Sequence, residues 1–355
     1  MSPTRVARGP GEYDQGPTVA WNARRALGGA ALALSCSACA GPQSALDVRG
    51  TAAARIAGLW WTLLVVAVVV YIIVIALLLA TIARRVRETG ENGLQMPTSD
   101  RRGLRWIGLG GVLLPALVLA AVLAVTLRVQ TALHSHTPAD LTVQVIGRLW
   151  WWEIRYLGGA PGDRVITANE LHIPTGRRVR VELTSADMIH SFWVPNLQGK
   201  VDLVPGRTTV TWLHADRPGI SRGQCAEYCG LQHTRMGFLV VAEPPAEFTR
   251  WLDEQRRPSA AVNETTRRGQ VLFQSSGCAY CHATRPVATP GVGGPDLTHF
   301  ASRRTIAAAT LPNTRGHLAG WIADPQGIKP GNRMPRIPLA PADLLAVVTY
   351  LESLR

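Results

Sequence analysis

Cysteine is scarce in this sequence, and none is left over for a structural disulfide. The 355 residues contain six cysteines, which fall into three close pairs: Cys36 with Cys39, Cys225 with Cys229, and Cys278 with Cys281. In an exported protein a disulfide is the default use of such a pair. The residues next to the second and third pairs indicate another use for these sulfurs, and cleavage of an export signal would remove at least Cys36.

Charged residues are missing from two long apolar runs, residues 59–82 and 107–127. Each run exceeds the roughly 18 apolar residues that a helix needs to cross a bilayer. A buried core helix of this length would be expected to keep a polar face. We therefore expect a hairpin of two transmembrane helices within residues 40–130, the second of them kinked at Pro115.

Arginine clusters in the loop between the two runs. By the positive-inside rule the loop between the helices faces the cytoplasm, so both flanks face outward. The loop arginines are Arg84, Arg85, Arg87, Arg101, Arg102 and Arg105.

An export segment is expected over residues 1–39, where Arg24 and Arg25 precede an apolar run over residues 26–38. Cys39 is a candidate for lipid modification, against a plain cleavage site or an uncleaved segment. The predicted location is a bacterial-type plasma membrane, crossed more than once. The processed N-terminus and the C-terminal domains would lie on its outer face.

A basic-aromatic binding pattern is absent from the soluble part, although the formal net charge is +13. Much of the positive charge lies in the export segment and the cytoplasmic loop, where arginine sets membrane topology. We therefore exclude nucleic acid as a partner.

Short alternating runs rich in Val, Ile, Thr and Trp fill residues 141 to about 243, with Gly and Pro at the breaks. Strands are predicted at 141–146, 178–183 and 208–213. This spacing favours a small antiparallel sandwich or barrel, which we assign to a domain of residues 131–245. No helical pattern alternates with the strands, so a thioredoxin-like parallel sheet is disfavoured.

Helical patterns return after the strands. A helix and polar linker are predicted over residues 246–263, and a small helical domain over 264–355, with helices at 264–273 and 341–354. That domain contains Cys278-Ala-Tyr-Cys281-His282, the attachment motif of a c-type haem, in which His282 becomes an axial iron ligand. Half of a zinc site is the alternative, but no second cysteine pair follows.

The second axial ligand of this haem can be argued by elimination. Met334 is the only methionine after His282, and it lies in an irregular segment able to reach the far face. His299 and His317 are the competitors. Methionine with histidine raises the reduction potential, which suits a carrier that feeds a strong oxidant, and we therefore favour Met334.

Soft ligands cluster between residues 225 and 236: Cys225, Cys229, His233 and Met236. Thiolate and thioether ligands favour copper or iron-sulfur chemistry over magnesium or calcium, and an added imidazole points further toward copper or zinc. His190, placed at the end of an apolar strand-like run, is expected to join them. A disulfide would leave His233 and Met236 unexplained, and a copper-delivery protein would need βαβ structure.

The pattern Cys-x-Glu-x-Cys-Gly-x-x-His-x-x-Met over 225–236, with His190 and the tryptophan-rich segment 147–152, resembles subunit II of haem-copper cytochrome c oxidases. The resemblance covers about residues 45–245. The haem domain makes the chain similar to members with a fused cytochrome c. The implied fold class is a multidomain membrane protein with a two-helix transmembrane hairpin, an all-β cupredoxin domain and an α-helical class I cytochrome c domain.

The resemblance also implies a binuclear copper centre, CuA, whose two copper ions are bridged by both thiolates. His190 and His233 would each bind one copper, Met236 would complete one, and the backbone carbonyl of Glu227 the other. The Glu227 carboxylate would help to hold magnesium at the contact with subunit I, unless it is a solvated loop glutamate.

By the same resemblance, Trp150 would be the residue at which electrons enter. Alternatively, the three tryptophans of the segment could serve packing and the membrane interface. The chain has Arg148 and Leu149 where the family commonly has a His-Gln pair. This departure concerns the docking surface near Trp150 and not the copper ligands.

The implied function is that of the electron-input subunit of a respiratory, proton-translocating oxidase. Electrons would pass from an external donor, such as a cytochrome c or a cytochrome bc complex, through haem c and CuA to subunit I. The implied partners are subunits I and III and membrane lipid. A CuA-containing component of a nitric-oxide or nitrous-oxide reductase is one alternative, and a copper-assembly protein without enzyme activity is another.

Overall fold

The computed structural model describes residues 41–88, 101–133, 139–158, 164–259, 262–285 and 293–355. The predicted export segment 1–39, with Cys36 and the lipidation candidate Cys39, lies outside the described residues.

Two stretches of helix are long and apolar enough to cross a membrane, residues Thr51–Arg87 and Gly103–Leu133. The helices extend past the predicted runs because backbone hydrogen bonding continues into the charged flanks, beyond the part that a bilayer core would enclose. They comprise α1 (Thr51–Glu88), α2 (Arg101–Gly108), a π-helical turn (Leu109–Leu113) and α3 (Leu114–Leu133).

The predicted irregularity at Pro115 takes the form of this π-helical turn just before it. The N–H of Leu114 donates to the carbonyl of Leu109, one residue further back than in an α-helix. Pro115 has no N–H and its ring crowds the preceding turn, so a wider turn relieves the conflict.

Within the described residues, ten strands form a sandwich of two five-stranded sheets. The strands are β1 (Leu141–Arg148), β2 (Trp151–Tyr156), β3 (Val165–Ala168), β4 (Glu170–Pro174), β5 (Val179–Ser185), β6 (His190–Val194), β7 (Gln198–Leu203), β8 (Thr209–Leu213), β9 (Gly219–Cys225) and β10 (Gly237–Glu243). Their orders in the two sheets are β3-β2-β1-β5-β8 and β4-β10-β9-β6-β7. The three predicted strands are confirmed as β1, β5 and β8, with ends shifted by one or two residues.

The expectation of a purely antiparallel sandwich is wrong. Strand β1 pairs with β5 in parallel, and β4 pairs with β10 in parallel. Both pairs join strands that are distant in sequence, so the chain reaches them by crossing between the sheets and not by a hairpin.

The sandwich core follows the two-residue period of its strands. In β5 the side chains of Val179, Val181 and Leu183 are fully buried, whereas the residues between them are partly exposed. Trp152 and Phe238 lie in the middle of this core, with their ring centroids 5.1 Å apart. The strands that carry the soft ligands are therefore held by a packed interior.

The predicted helix after the strands is confirmed as α4 (Pro245–Arg256), and it packs back onto the sandwich. The ring of Trp251 stacks on His172 with centroids 4.0 Å apart. This helix therefore belongs to the sandwich and is not a free linker.

The C-terminal part is helical, as predicted. Its two predicted helices are confirmed as α5 and α8, which cross closely at Gly269, where a Cβ would lie 2.0 Å from the Ala346 carbonyl oxygen. The two helices between them and a hairpin of two two-residue strands were not predicted. The elements are α5 (Glu264–Ser275), β11 (Thr305–Ile306), β12 (Leu311–Pro312), α6 (Arg315–Ala323), α7 (Pro325–Ile328) and α8 (Pro341–Ser353).

Candidate metal and haem sites

The soft ligands predicted between residues 225 and 236 lie together at one end of the sandwich. The Sγ atoms of Cys225 and Cys229 are 3.7 Å apart. Cys229 Sγ is also 3.7 Å from His233 Nδ1 and 3.8 Å from Met236 Sδ. Cys225 ends β9 and Met236 immediately precedes β10, so two paired strands hold both ends of the loop.

His190 joins this cluster from a different strand. Its Nδ1 atom is 3.8 Å from Cys225 Sγ. It is the first residue of β6 and not the end of the preceding strand, because β5 stops at Ser185 and a bend separates the two. Gly147 leaves room for the ring, since a Cβ there would lie 2.7 Å from His190 Cδ2.

Asp187 orients the His190 ring and had no signal in the sequence. Its Oδ1 atom is 2.8 Å from His190 Nε2, which leaves Nδ1 directed at the sulfurs. Burial raises the pKa of Asp187, but hydrogen bonds from His190 and from the backbone N–H groups of Met188 and Leu149 outweigh it, and the net pKa is lowered. A carboxylate behind a histidine is a common second partner in metal sites.

Cys225 and Cys229 are free cysteines, and their separation is far beyond a disulfide bond of about 2 Å. The disulfide alternative does not describe this structure. A hydrogen bond from the Cys229 thiol is the main cause that lowers the pKa of Cys225, against the effect of burial. The same hydrogen bond raises the pKa of Cys229. A cation between the two sulfurs would replace this shared proton.

The donor set fits a soft metal. The ligand atoms of His190, Cys225 and Cys229 lie within 4.8 Å of one another, and all three residues are buried. The thioether of Met236 and the carbonyl of Glu227, whose oxygen is 3.2 Å from Cys225 Sγ, complete the surroundings. Two thiols, imidazoles and a thioether favour copper over hard cations.

The Glu227 residue is half-buried. Its Oε1 atom accepts a hydrogen bond of 3.3 Å from the N–H of Tyr228. In the part of the chain that the structure describes, the only cluster of three or more potential metal-binding His, Cys, Asp or Glu residues is the one formed by His190, Cys225 and Cys229. Glu227 is not a member of that cluster.

The haem motif forms a short helical turn at Cys278–Tyr280, followed by Cys281 and His282. The ring of His282 is fixed by a 2.8 Å contact between its Nδ1 atom and the carbonyl oxygen of Pro295, and Nε2 remains available to iron. Burial lowers the pKa of His282, which favours the neutral form of the ring that ligation requires. A Cβ on Gly294 would lie 2.6 Å from His282 Cε1, so only glycine fits there.

An apolar cavity adjoins this motif, and its walls suit a flat macrocycle. Met334 lines the cavity together with Cys278, Cys281 and His282. The competitors of Met334 lie elsewhere: His299 contacts the Arg257 carbonyl at 3.0 Å, and His317 contacts Thr314 Oγ1 at 2.9 Å. Apolar side chains also line the cavity: Phe273, Leu297, Phe300, Leu318, Ile322 and Leu351.

The same cavity is also lined by the sandwich, which the sequence did not predict. Trp150, Trp151 and Asn169 contribute to its wall. The indole Nε1 of Trp150 donates a 2.7 Å hydrogen bond to the carbonyl oxygen of Cys229. One tryptophan therefore touches both the haem cavity and the loop of the soft ligands.

The sequence resembles known proteins in both of its soluble parts. Residues 160–243 match the family described as cytochrome c oxidase subunit II, periplasmic domain, and residues 266–355 match the family described as cytochrome c.

Curated relatives are named cytochrome c oxidase subunit 2. The protein of Alkalihalophilus pseudofirmus is 38% identical over 218 residues, which cover 60% of this chain and 61% of the relative. The protein of Bacillus subtilis is 33% identical over 61% of this chain and 62% of its own length. That of Bacillus sp. strain PS3 is 30% identical over 67% of this chain and 72% of its own length. The chain thus spans about three fifths of the length of the first two.

Among solved structures, the periplasmic domain of subunit II of cytochrome oxidase (CoxB) of Bradyrhizobium japonicum is 30% identical. The match covers 34% of this chain and 96% of that one, with a TM-score of 0.32.

Proposed function

Because the chain belongs to the cytochrome c oxidase subunit 2 family, we propose that it is the electron-input subunit of a respiratory oxidase. Electrons pass from an external donor to a covalent haem c, then to a binuclear CuA centre, and then to the oxygen-reducing centre of subunit I. Proton translocation belongs to the assembled complex.

The observation that carries this proposal is the position of Trp150 between the two sites. Its ring lines the haem cavity, and its Nε1 atom bonds the backbone of Cys229. An electron leaving the cavity on this side meets a continuous path of one aromatic ring and one hydrogen bond. Trp150 is therefore the residue through which we expect electrons to reach copper.

The residues of this chain would hold the copper pair as follows. Cys225 and Cys229 would supply the two thiolates, His190 and His233 would supply one imidazole each, and Met236 and the Glu227 carbonyl would supply the remaining two ligands. A copper pair bound in this way would supply a one-electron carrier whose ligands rearrange little on electron transfer. Asp187 and the paired strands β9 and β10 hold the ligands in place before copper binds, which also limits their rearrangement on electron transfer.

In the haem domain, Cys278 and Cys281 would form the thioether bonds, with His282 and Met334 as axial ligands. Met334 is held by its backbone, since its carbonyl accepts a 2.8 Å hydrogen bond from Gln326. A bound haem of this type supplies a one-electron carrier of raised potential.

Subunits I and III, membrane lipid and a cytochrome c or cytochrome bc donor are the expected partners. The soluble domains lie on the outer face of the membrane, and magnesium is held at Glu227 against subunit I.

Photoreduction of the haem in the purified, copper-loaded chain tests the proposal. We expect oxidation of the haem to be matched in time by reduction of copper. A haem that stays reduced beside oxidised copper in the unaltered chain would contradict the relay.

A further inference from the structure

Lysine is almost absent from this chain, and one of its two lysines is buried between the domains. Of 37 basic Lys and Arg residues only Lys200 and Lys329 are lysine. Lys200 is exposed on the sandwich, whereas Lys329 has 3% of its surface exposed. A buried ammonium is costly unless its hydrogens find acceptors, so this position requires an explanation.

The ammonium of Lys329 is satisfied by backbone carbonyls from both domains. Its Nζ atom lies 2.9 Å from the Arg235 oxygen and 3.4 Å from the Trp150 oxygen, both in the sandwich. It lies 3.3 Å from the oxygen of Ala307, in its own domain. Three acceptors around one nitrogen match the three N–H groups of an ammonium and not the flat fork of a guanidinium.

The turn that supplies Ala307 is strained and turns its carbonyls toward the interface. Ala307, Ala308 and Ala309 have φ values of 53°, 58° and 55°, a left-handed run that residues with a Cβ avoid. The Ala308 carbonyl accepts from the N–H of Gly237 at 3.2 Å, and the Ala309 carbonyl accepts from Arg222 at 2.8 Å. Contacts across the interface offset the strain of this conformation.

A buried carboxylate makes the complementary contact on the other side of the same turn. Glu170, in β4, accepts hydrogen bonds from the backbone N–H groups of Arg304 and Thr305 at 2.7 and 2.9 Å. Apolar contacts fill the space between: Ala308 packs with Trp151 and Ala168, and Ala309 with Leu239 and Val241. The haem domain is thus seated in a defined orientation.

We propose that Lys329 is a positioning residue, which holds the haem domain on the Trp150 face of the sandwich so that electrons cross from one docked arrangement. The inference rests on the proposed function. Lys329 also connects to the haem side, because its carbonyl accepts a 2.6 Å hydrogen bond from Asn332, two residues before Met334. The same segment therefore carries the interdomain contact and the candidate axial ligand.

Because the chain has only two lysines, their acetylation rates test directly whether the haem domain is docked on the sandwich. The full chain, loaded with haem and copper in detergent, is treated with an acetylating reagent, and each lysine is followed by mass spectrometry. Burial lowers the pKa of Lys329 to about 8, so protonation alone would not protect it at pH 8.5. We expect Lys329 to react at least roughly tenfold more slowly than Lys200. Equal rates would overturn the docked arrangement.

The variant Lys329→Met tests the positioning role, with Lys200→Met as the matched control. Lys329→Met removes the ammonium and leaves its acceptors unsatisfied. We expect the transfer rate from photoreduced haem to copper to fall at least roughly tenfold and to become dependent on ionic strength, with haem and copper spectra unchanged. Lys329→Arg should not restore the rate, because a planar fork does not fit the three carbonyls.

These experiments test the positioning role of Lys329 separately from the proposed electron relay. Wild-type transfer in Lys329→Met, at every salt concentration, would overturn the role of Lys329. If the unaltered chain protects Lys329 but passes no electron from haem to copper, the proposed relay fails while the docked structure stands. If Lys329→Met does not fold, acetylation of the unaltered chain still decides whether the domains are docked.

Discussion

The copper-type site and the haem cavity differ in what builds them. The ligands around Cys225 and Cys229 all come from the sandwich, from the end of β9, the loop between β9 and β10, and the neighbouring strand β6. The haem cavity takes its motif and Met334 from one domain and the wall around Trp150 from another. One site is complete within its own domain, whereas the other is closed only when the domains are docked. Changes at the first should therefore stay local, and changes at the second should depend on docking.

The largest effect is expected for Cys229→Ser, because both copper ions would lose a bridging sulfur. We expect the binuclear copper signal and electron transfer from haem to copper to disappear, while covalent haem on a denaturing gel stays unchanged. Cys278→Ser is the matched change at the other site and should weaken covalent haem attachment while copper is kept. A Cys229→Ser protein with an unaltered copper spectrum would contradict the assignment.

A change at Met334 addresses the haem site alone. Met334→His should lower the haem reduction potential, since imidazole replaces the thioether, and should leave covalent attachment intact. Potentiometric titration measures the effect. His317→Gln is the control, because His317 is exposed and contacts Thr314 instead of the cavity. An unchanged potential in Met334→His would show that the methionine is not the ligand.

A smaller effect on copper affinity is expected from Asp187, whose carboxylate contacts the candidate ligand His190. Asp187→Asn weakens the contact that orients His190, and loss of such a partner typically lowers metal affinity about 10–100-fold. Competition with a copper chelator measures the affinity. Asp216→Asn is the matched control, because Asp216 makes a similar contact of 3.1 Å with His214 elsewhere on the sandwich. Equal losses in both variants would rule out a specific role for Asp187.

The smallest effect concerns Glu170 at the docked face. Burial raises its pKa above the ordinary value of 4.5, against the hydrogen bonds from Thr305 and Arg304. The folded protein then binds this proton more tightly than the unfolded chain. Stability is therefore lost as the pH rises from 4.5 through the raised pKa.

Glu170→Gln removes this titration while keeping one oxygen acceptor. We expect its melting temperature relative to the unaltered chain to increase over the same pH window and then to stay constant. Glu182→Gln, at a partly exposed position of β5, is the control. A pH-independent difference for Glu170→Gln would show that the carboxyl group does not titrate in this way.

The copper-type site could be predicted because its ligands follow a short sequence pattern, and β9 and β10 bring the ends of that pattern together. The helices around the haem were also predictable where their apolar period was clear, as in α5 and α8. The parallel pairing of β1 with β5 was not, because strand direction depends on crossovers that leave no local pattern. Lys329, Glu170 and Asp187 were missed for a related reason: each acts through backbone groups or a side chain brought near only by folding.

The central claim is that this chain holds two copper ions bridged by the sulfurs of Cys225 and Cys229. Electron paramagnetic resonance of the copper-loaded chain tests it most directly. We expect a hyperfine pattern from one unpaired electron that is shared equally by two copper nuclei. A pattern from a single copper nucleus would contradict it.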